Sequence, residues 1–483
     1  MATSNIARTE ESDQNVSLLA SLPFQVIDDG CLRHPSLESR EIRLVTLLRG
    51  NSNEQLECRM ENFRIDQCHY YEALSYVWGD NSELNPLRVN NAWFQITRNL
   101  FEALHQLRSS DRDRSLWIDQ LCIDQTDLDE RAAQVEMMGD IYKQANQVLC
   151  WLGPDGDEEA DLASDLIQEM LRADLDIHAE GVIRLSGGYG NIDDTILKEI
   201  NLPVLASRKW TALNHLIQHP YFERVWIMQE VKLASSKILL WGDSELSWDD
   251  LLKVLPWGLN IGTHALLEDS LLDLDAITRV LSLAEKTTTF EQCLAAAAVR
   301  KSTVAVDKIF AILNLVEGGA PFPADYNRTL LEAYRYTSMN LLQNRGNLKF
   351  MSHIDNSFIN ENDFHDWPSW VPRTWKGVKG PGEPDFTASS RFPLYTFLLE
   401  IDTSYLTLRG VKEGNVKIIG SAISSKPNRS NNGNDYQTDL ETTALKIAEA
   451  WDLLRKHAKS FRDPGEPLFK AFIRTLISLN SGA

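Results

Sequence analysis

Polar residues able to do chemistry gather in this chain where apolar runs end. YEALSYVWGD (71–80) closes one run with Ser75, Tyr76, Trp78, Gly79 and Asp80, and SLWIDQ (115–120) closes another with Asp119 and Gln120. If the two runs are parallel neighbouring strands, their ends converge on one crevice, the usual ligand position of an open α/β sheet. A carboxylate directly after the apolar LWI needs a partner or a shifted pKa. Asp119 therefore either takes part in chemistry or accepts backbone N–H groups in a loop. Glu130 follows, with Arg131 beside it and Gln134 one turn on. A carboxylate there can serve a site, but Asp127-Leu128-Asp129-Glu130 also fits a capping box, with Asp127 as N-cap and Glu130 reaching back to its N–H. The residues alone favour capping. The last constellation is Arg224, Trp226, Gln229 and Glu230 in FERVWIMQEV. Arg224 and Glu230 are six apart, so within one helix they do not pair. Each is expected to find a partner elsewhere, Arg224 with Asp119 or Glu130, or to lie on a solvated face. Trp226 joins Phe222, Val225 and Leu233 on an apolar stripe and is expected in the core.

The elements that position these residues read as α/β. Strands are expected at 40–48, within 49–70, at 71–79, 115–119, 147–153 and 237–243, the last pairing with 245–248. A hairpin over 86–97 turns at Asn90-Asn91. Helices are expected at 98–109, 127–145, 158–175, 209–220 and 221–235, the last with Pro220 in its first turn. The near-continuous apolar character of 71–79 suits a strand buried on both faces. SGGYGN (186–191) reads as an insertion loop. Beyond 249 the pattern is helical to about 345, followed by strands at 393–402 and 405–420 and a helix at 440–480. This divides the chain into a loose tail (1–39), an α/β domain with a mainly parallel sheet flanked by helices (40–250), and a helix-rich region with a small β element (251–483).

Composition narrows the function classes. The chain has 483 residues, 43% of them hydrophobic, enough for a large buried core. Its formal charge of −21 disfavours nucleic acid as a partner. No basic, then apolar N-terminal pattern marks a signal peptide, and no window suits a membrane span. The six cysteines form no CxxC pair, a reduced pattern that suits the cytoplasm. Ten histidines without paired spacing give no support for a metal site. No GxSxG elbow supports a nucleophilic serine, and no GxGxxG supports a Rossmann dinucleotide grip. Cys122, apolar and flanked by acids, reads as packing. Asp307-Lys308 reads as a helix cap.

SYVWGD (75–80), WIDQLCIDQ (117–125), ER..QV..M..IY..A (130–145) and VLCWLG (148–153) together resemble the heterokaryon-incompatibility (HET) domain of filamentous fungi. HPYFERVWIMQEV (219–231), CLAAAAVRKSTVAVDKIFAILNL (293–315), PADY (323–326) and PSWVP (368–372) extend the resemblance in order over about residues 40–420. Asp124 departs from the family's more frequent Asn, and VAVDK (304–308) lacks its usual Pro-Arg pair. The resemblance implies nonself recognition, with cell death when incompatible cells fuse, and a partner that is another protein, an incompatible allele product or a second copy. The HET domain is also distantly similar to Toll/interleukin-1-receptor (TIR) domains, which implies a TIR-like, flavodoxin-like sheet. In TIR domains a strand ending in Ser-Tyr or Ser-Phe leads the sheet, and some members cleave NAD with a helix glutamate. LSYVWGD resembles that strand, and Glu130 is the positional match for that glutamate. A carboxylate there would stabilise the oxocarbenium-like ribosyl cation as nicotinamide leaves. NAD would then be a substrate, with no resident cofactor. The alternative is a self-associating module in which Glu130 only caps a helix.

Overall fold

The computed structural model describes residues 34–80, 82–173, 194–264, 272–286, 289–317, 322–345 and 371. Nine strands form one sheet: β1 (Glu41–Leu47), β2 (Glu57–Arg64), β3 (Glu72–Tyr76), β4 (Leu84–Val89), β5 (Ala92–Thr97), β6 (Arg114–Trp117), β7 (Gln147–Gly153), β8 (Lys237–Trp241) and β9 (Ser244–Ser247). Their order is β5-β4-β2-β1-β6-β3-β7-β8-β9. The central β6, β3, β7 and β8 are parallel neighbours. Antiparallel β1–β2, β4–β5 and β8–β9 hairpins complete the sheet on either side. The expected α/β class holds, with a mixed sheet that is parallel at its centre.

Local sequence explains these elements. All five residues of β3 are buried, as a strand covered on both faces requires. Its one charge at the far end, Glu72, is neutralised by both guanidinium arms of Arg114 at 2.8 and 2.9 Å. The β4–β5 turn places Asn90 and Asn91 at φ 50° and 67°, the left-handed pair that a two-residue hairpin needs. Helix α1 (Arg98–Leu107) buries Leu100, Ala103, Leu104 and Leu107, spaced for one face. Asp119–Cys122 is a single turn, α2. Helix α3 (Leu128–Gln144) buries Gln134, Val135, Met138, Ile141 and Tyr142 towards the sheet side. Helices α4 (Glu159–Arg172), α5 (Asp194–Glu199) and α6 (Arg208–Gln218) follow.

The expected helix over 221–235 is broken. Pro220–Glu223 is a 3-10 turn, Arg224 is extended at φ −71° and ψ 138°, and only Ile227–Lys232 is helical, as α7. The break has a backbone cause. Val225 N–H donates to Lys301 O at 2.9 Å and Lys301 N–H to Glu223 O at 2.5 Å, so this bridge takes groups that a helix would use internally.

Beyond the sheet come α8 (Trp248–His264), α9 (Leu274–Leu281), α10 (Phe290–Ala298), α11 (Asp307–Phe310) and α12 (Leu330–Arg345). The described residues up to Leu341 fall in one compact unit, which crosses the expected boundary at 250. A second unit takes in 342–349 and 378–483, of which only the end of α12 is described. SGGYGN, the strands expected at 393–420, the final helix and most of the tail lie outside the described residues.

Candidate functional site

The carboxyl ends of the parallel strands carry a buried polar cluster. Register pairs Ser75 with Cys150 and Tyr76 with Trp151 across β3 and β7. Ser75 Oγ donates to Glu230 Oε2 on α7, and the Tyr221 hydroxyl stands 2.7 Å from the same Oγ. Arg224 Nη1 lies 3.6 Å from Glu230 Oε2, close enough for charge attraction but without a hydrogen-bond partner of its own. Asp119, at the end of β6, accepts from the Trp78 indole N–H at 2.8 Å and from the Gln120 N–H at 2.7 Å. Tyr76 donates to Gln120 Oε1 at 3.0 Å, where Thr97 also donates at 3.4 Å. Ser75, Tyr76, Tyr221 and Glu230 are at most 1% exposed. Trp78, Asp119 and Arg224 are only partly covered and form the cluster's outer face.

The electrostatics follow from this burial. Desolvation pushes the Glu230 carboxyl up to about 7, against the pull of Arg224 and the Ser75 hydrogen bond. Asp119 is also raised by burial, opposed by Arg224 and the Trp78 indole. Burial lifts the hydroxyls of Tyr76, Tyr142 and Tyr221 well above the ordinary phenol value. These phenols stay protonated donors at neutral pH. The cluster thus holds one carboxyl poised near neutrality, a second nearby and one arginine between them, which suits general acid–base work or stabilisation of a developing cation.

Glu130 belongs to a different network. Arg43, fully buried on β1, grips both Glu130 oxygens, Nη1 to Oε1 at 2.5 Å and Nη2 to Oε2 at 2.8 Å. Arg43 also donates to the carbonyls of Cys122 and Pro35, while Glu130 Oε1 accepts the Asp124 N–H at 2.7 Å. The expected capping box is therefore half formed. Asp127 caps α3, accepting from the Asp129 and Glu130 N–H groups, but Glu130 turns to Arg43 instead of back to Asp127. The expectation that Arg224 seeks Glu130 is also corrected: Arg43 already holds that carboxylate. Arg224 and Glu230 do face each other, because the break at Arg224 removes the helical spacing on which their separation rested.

The other expected residues are spread around these networks. Gly79, at φ 81°, forms the turn after β3, and a Cβ there would meet Asn99 at 3.5 Å. Asn99 ties that turn to β7, donating to Val77 O at 2.6 Å and accepting from the Trp151 indole at 2.9 Å. Asp80 is exposed and accepts the Ser82 N–H. Gln134 is buried and donates to Glu41 O at 2.9 Å. Trp226 is half-buried, not fully in the core as its stripe suggests, and its indole N–H donates to Asp307 Oδ2 at 3.2 Å. Arg131 lies 3.6 Å from Asp307 and stacks over the Tyr326 ring at 3.9 Å. Asp307 is thus a buried acceptor inside α11, whose N-cap is Val306, and not the expected cap.

Tyr221, Cys150, Arg43, Asp307 and Tyr326 are absent from the sequence-level site. Arg43 alone has a readable signal, a charge inside the apolar run IRLV that must find a carboxylate. Cys122 and Cys150 are packing residues, with thiols pushed up to about 12 by burial. Among the described residues no group of three His, Cys, Asp or Glu could hold a metal ion, and no helix is long and apolar enough to cross a membrane.

An α/β domain with an acidic cluster at its strand ends is the class that this geometry defines. Residues 71–230 match the family described as Heterokaryon incompatibility protein (HET). The chain is also similar to "Heterokaryon incompatibility protein 6, OR allele" of Neurospora crassa, with 31% identity over 228 residues, 42% of this chain and 33% of that protein. The chain thus spans about a third of the length of the curated relative that it matches. No solved structure matches the chain significantly.

Proposed function

We propose that this chain acts in heterokaryon incompatibility as an effector that turns nonself recognition into cell death by cleaving NAD at the strand-end cluster. The HET domain and the incompatibility protein of Neurospora crassa support the role. One observation supports the chemistry: Ser75, in the strand end that resembles the leading TIR strand, hydrogen-bonds a helix glutamate, and that glutamate is Glu230. This moves the reacting carboxylate from Glu130, both of whose oxygens are occupied by Arg43, to Glu230. In the reaction the bond between ribose C1′ and the nicotinamide nitrogen breaks, and its electron pair leaves with neutral nicotinamide. Ionised Glu230, with Asp119 nearby, stabilises the ribosyl cation until water adds at C1′ and releases a proton. Arg224 faces Glu230 at 3.6 Å and favours its ionised form.

The test is nicotinamide release from NAD by the purified chain at high protein concentration, beside Glu230→Gln and Glu130→Gln. Turnover is expected in the wild type and in the folded fraction of Glu130→Gln, and a loss of at least about 100-fold in Glu230→Gln, the scale of a removed electrostatic stabiliser. Equal turnover in Glu230→Gln and wild type would refute the assignment. No turnover under any condition would favour the self-associating module.

A further inference from the structure

The stretch that carries Arg224 and Glu230 is held from its other side by chain beyond the 71–230 match. Glu223 and Val225 bond Lys301 through the backbone. The Trp226 indole donates to Asp307. Gln229 Nε2 donates to Phe310 O at 3.1 Å, and its Oε1 accepts from Asn314 Nδ2 at 3.1 Å. Asn314 also donates to Val135 O on α3 at 3.2 Å and lies so close to Gly139 that a Cβ there would sit 2.7 Å from it. Asp307 is buried and anchored in turn by Tyr326 OH at 2.9 Å and by Arg131. Arg224 faces Glu230, which in turn faces Ser75, while 226 and 229 face the later segment. A six-residue helix has too few internal hydrogen bonds to hold its own position, so tertiary contacts must set it.

We infer that residues 301–314, with Tyr326, act as a clamp that positions Glu230 against Ser75 and Arg224, with Asp307 and Asn314 as positioning residues, so that the matched span 71–230 is incomplete as a working unit. This rests on the reading of Glu230 as the reacting carboxylate. The clamp makes the site responsive to anything that moves the later segment. Release of Asp307 or Asn314 frees α7, hydrates Glu230 and separates it from Arg224, without any contact to substrate.

Asp307→Ala removes the partner of Arg131, Tyr326 and Trp226 at once, so the informative variants are milder. Trp226→Phe keeps an aromatic ring of smaller size and removes the N–H, and Asn314→Ala removes two hydrogen bonds. Both are measured in the full chain by hydrogen exchange of the 221–233 peptide. They are also measured by infrared titration of the Glu230 carboxyl, identified by its absence in Glu230→Gln. Exchange of that peptide is expected to rise about tenfold while β3 and β7 keep their protection, because local opening reports local contacts. The Glu230 midpoint is expected to fall by about one pH unit towards the ordinary carboxyl value as water reaches it, and kcat to fall with KM little changed. Unchanged exchange in both variants overturns the clamp. Faster exchange with an unmoved Glu230 midpoint shows packing without positioning and overturns it as well. A wild type without NAD turnover removes the proposed reaction, but exchange and titration still decide the clamp.

Discussion

Two helix glutamates in this molecule each face an arginine, and the pairs behave as opposites. Glu130 and Arg43 meet fork to fork, with every nearby donor satisfied by a carboxylate or a carbonyl. Glu230 and Arg224 meet at 3.6 Å with one guanidinium nitrogen unpartnered, and the carboxyl rises to about 7. Bidentate geometry turns a buried charge into a staple, here joining β1 to the start of α3. Offset geometry leaves the cost of burial uncompensated and the proton affinity raised. Residue type does not separate a fully paired acid from one of raised proton affinity; the number of donors that reach each oxygen does.

The largest expected effect breaks the staple. Arg43→Met leaves Glu130 without its cation and removes the donors to Cys122 and Pro35, so urea unfolding should show a loss of about 3–5 kcal/mol. A loss below about 1 kcal/mol would place this pair among surface-type ion pairs and erase the contrast. Activity per folded molecule should survive, because Arg43 touches nothing in the Ser75 cluster among the described contacts.

A smaller effect sharpens the other side. The ordinary Glu230 value of 4.5 rises to about 7 on folding, so the native state binds this proton more tightly than the unfolded chain. The resulting stability is fully present below pH 4.5 and is lost as pH rises through about 7, a change of roughly 3 kcal/mol at most. Glu230→Gln removes it. The unfolding free energy of the wild type minus that of Glu230→Gln should therefore decline from about pH 5 to about pH 7.5 and then flatten. Asp119 and Asp307 are raised in the same direction, so some slope should remain in the variant alone. A flat difference curve would mean that Glu230 is ionised throughout.

Much of the fold was legible because it rests on local pattern. The apolar runs of β3 and β7, the Asn90-Asn91 turn and the stripe of α1 each carry their own periodicity or turn chemistry. The strand-end residues Ser75, Tyr76, Trp78 and Asp119 were legible for the same reason, since strand ends are visible in sequence. The pairing of Glu230 with Ser75 and Arg224 was not. It depends on the break at Arg224, which is caused by Lys301, more than seventy residues away in sequence. The same holds for Trp226 and Asp307: an apolar stripe and a cap-like Asp are complete local explanations, and only the distant pairing shows that each serves the other. The capping box failed at its second half for an equivalent reason. The Asp127 N–H that Glu130 would accept donates instead to Asp124 O at 3.2 Å, and the buried arginine from β1 takes the carboxylate, since an unpaired buried guanidinium is costly.

The smallest expected effect separates these two roles at the start of α3. Asp127 accepts the Asp129 and Glu130 N–H groups at 3.0 Å, so the cap resides in Asp127 alone. Asp127→Ala should cost about 1 kcal/mol, the usual value of an N-cap. Glu130→Gln should cost more, because it removes the charge that balances Arg43. If capping were the main task of Glu130, the order would reverse, since the reciprocal half of the box would fail while Arg43 found compensation in the Pro35 and Cys122 carbonyls. Thermal denaturation of the two variants, each against wild type, decides it. A loss in Asp127→Ala equal to or greater than that in Glu130→Gln would return Glu130 to the capping box and leave its charge free for other work.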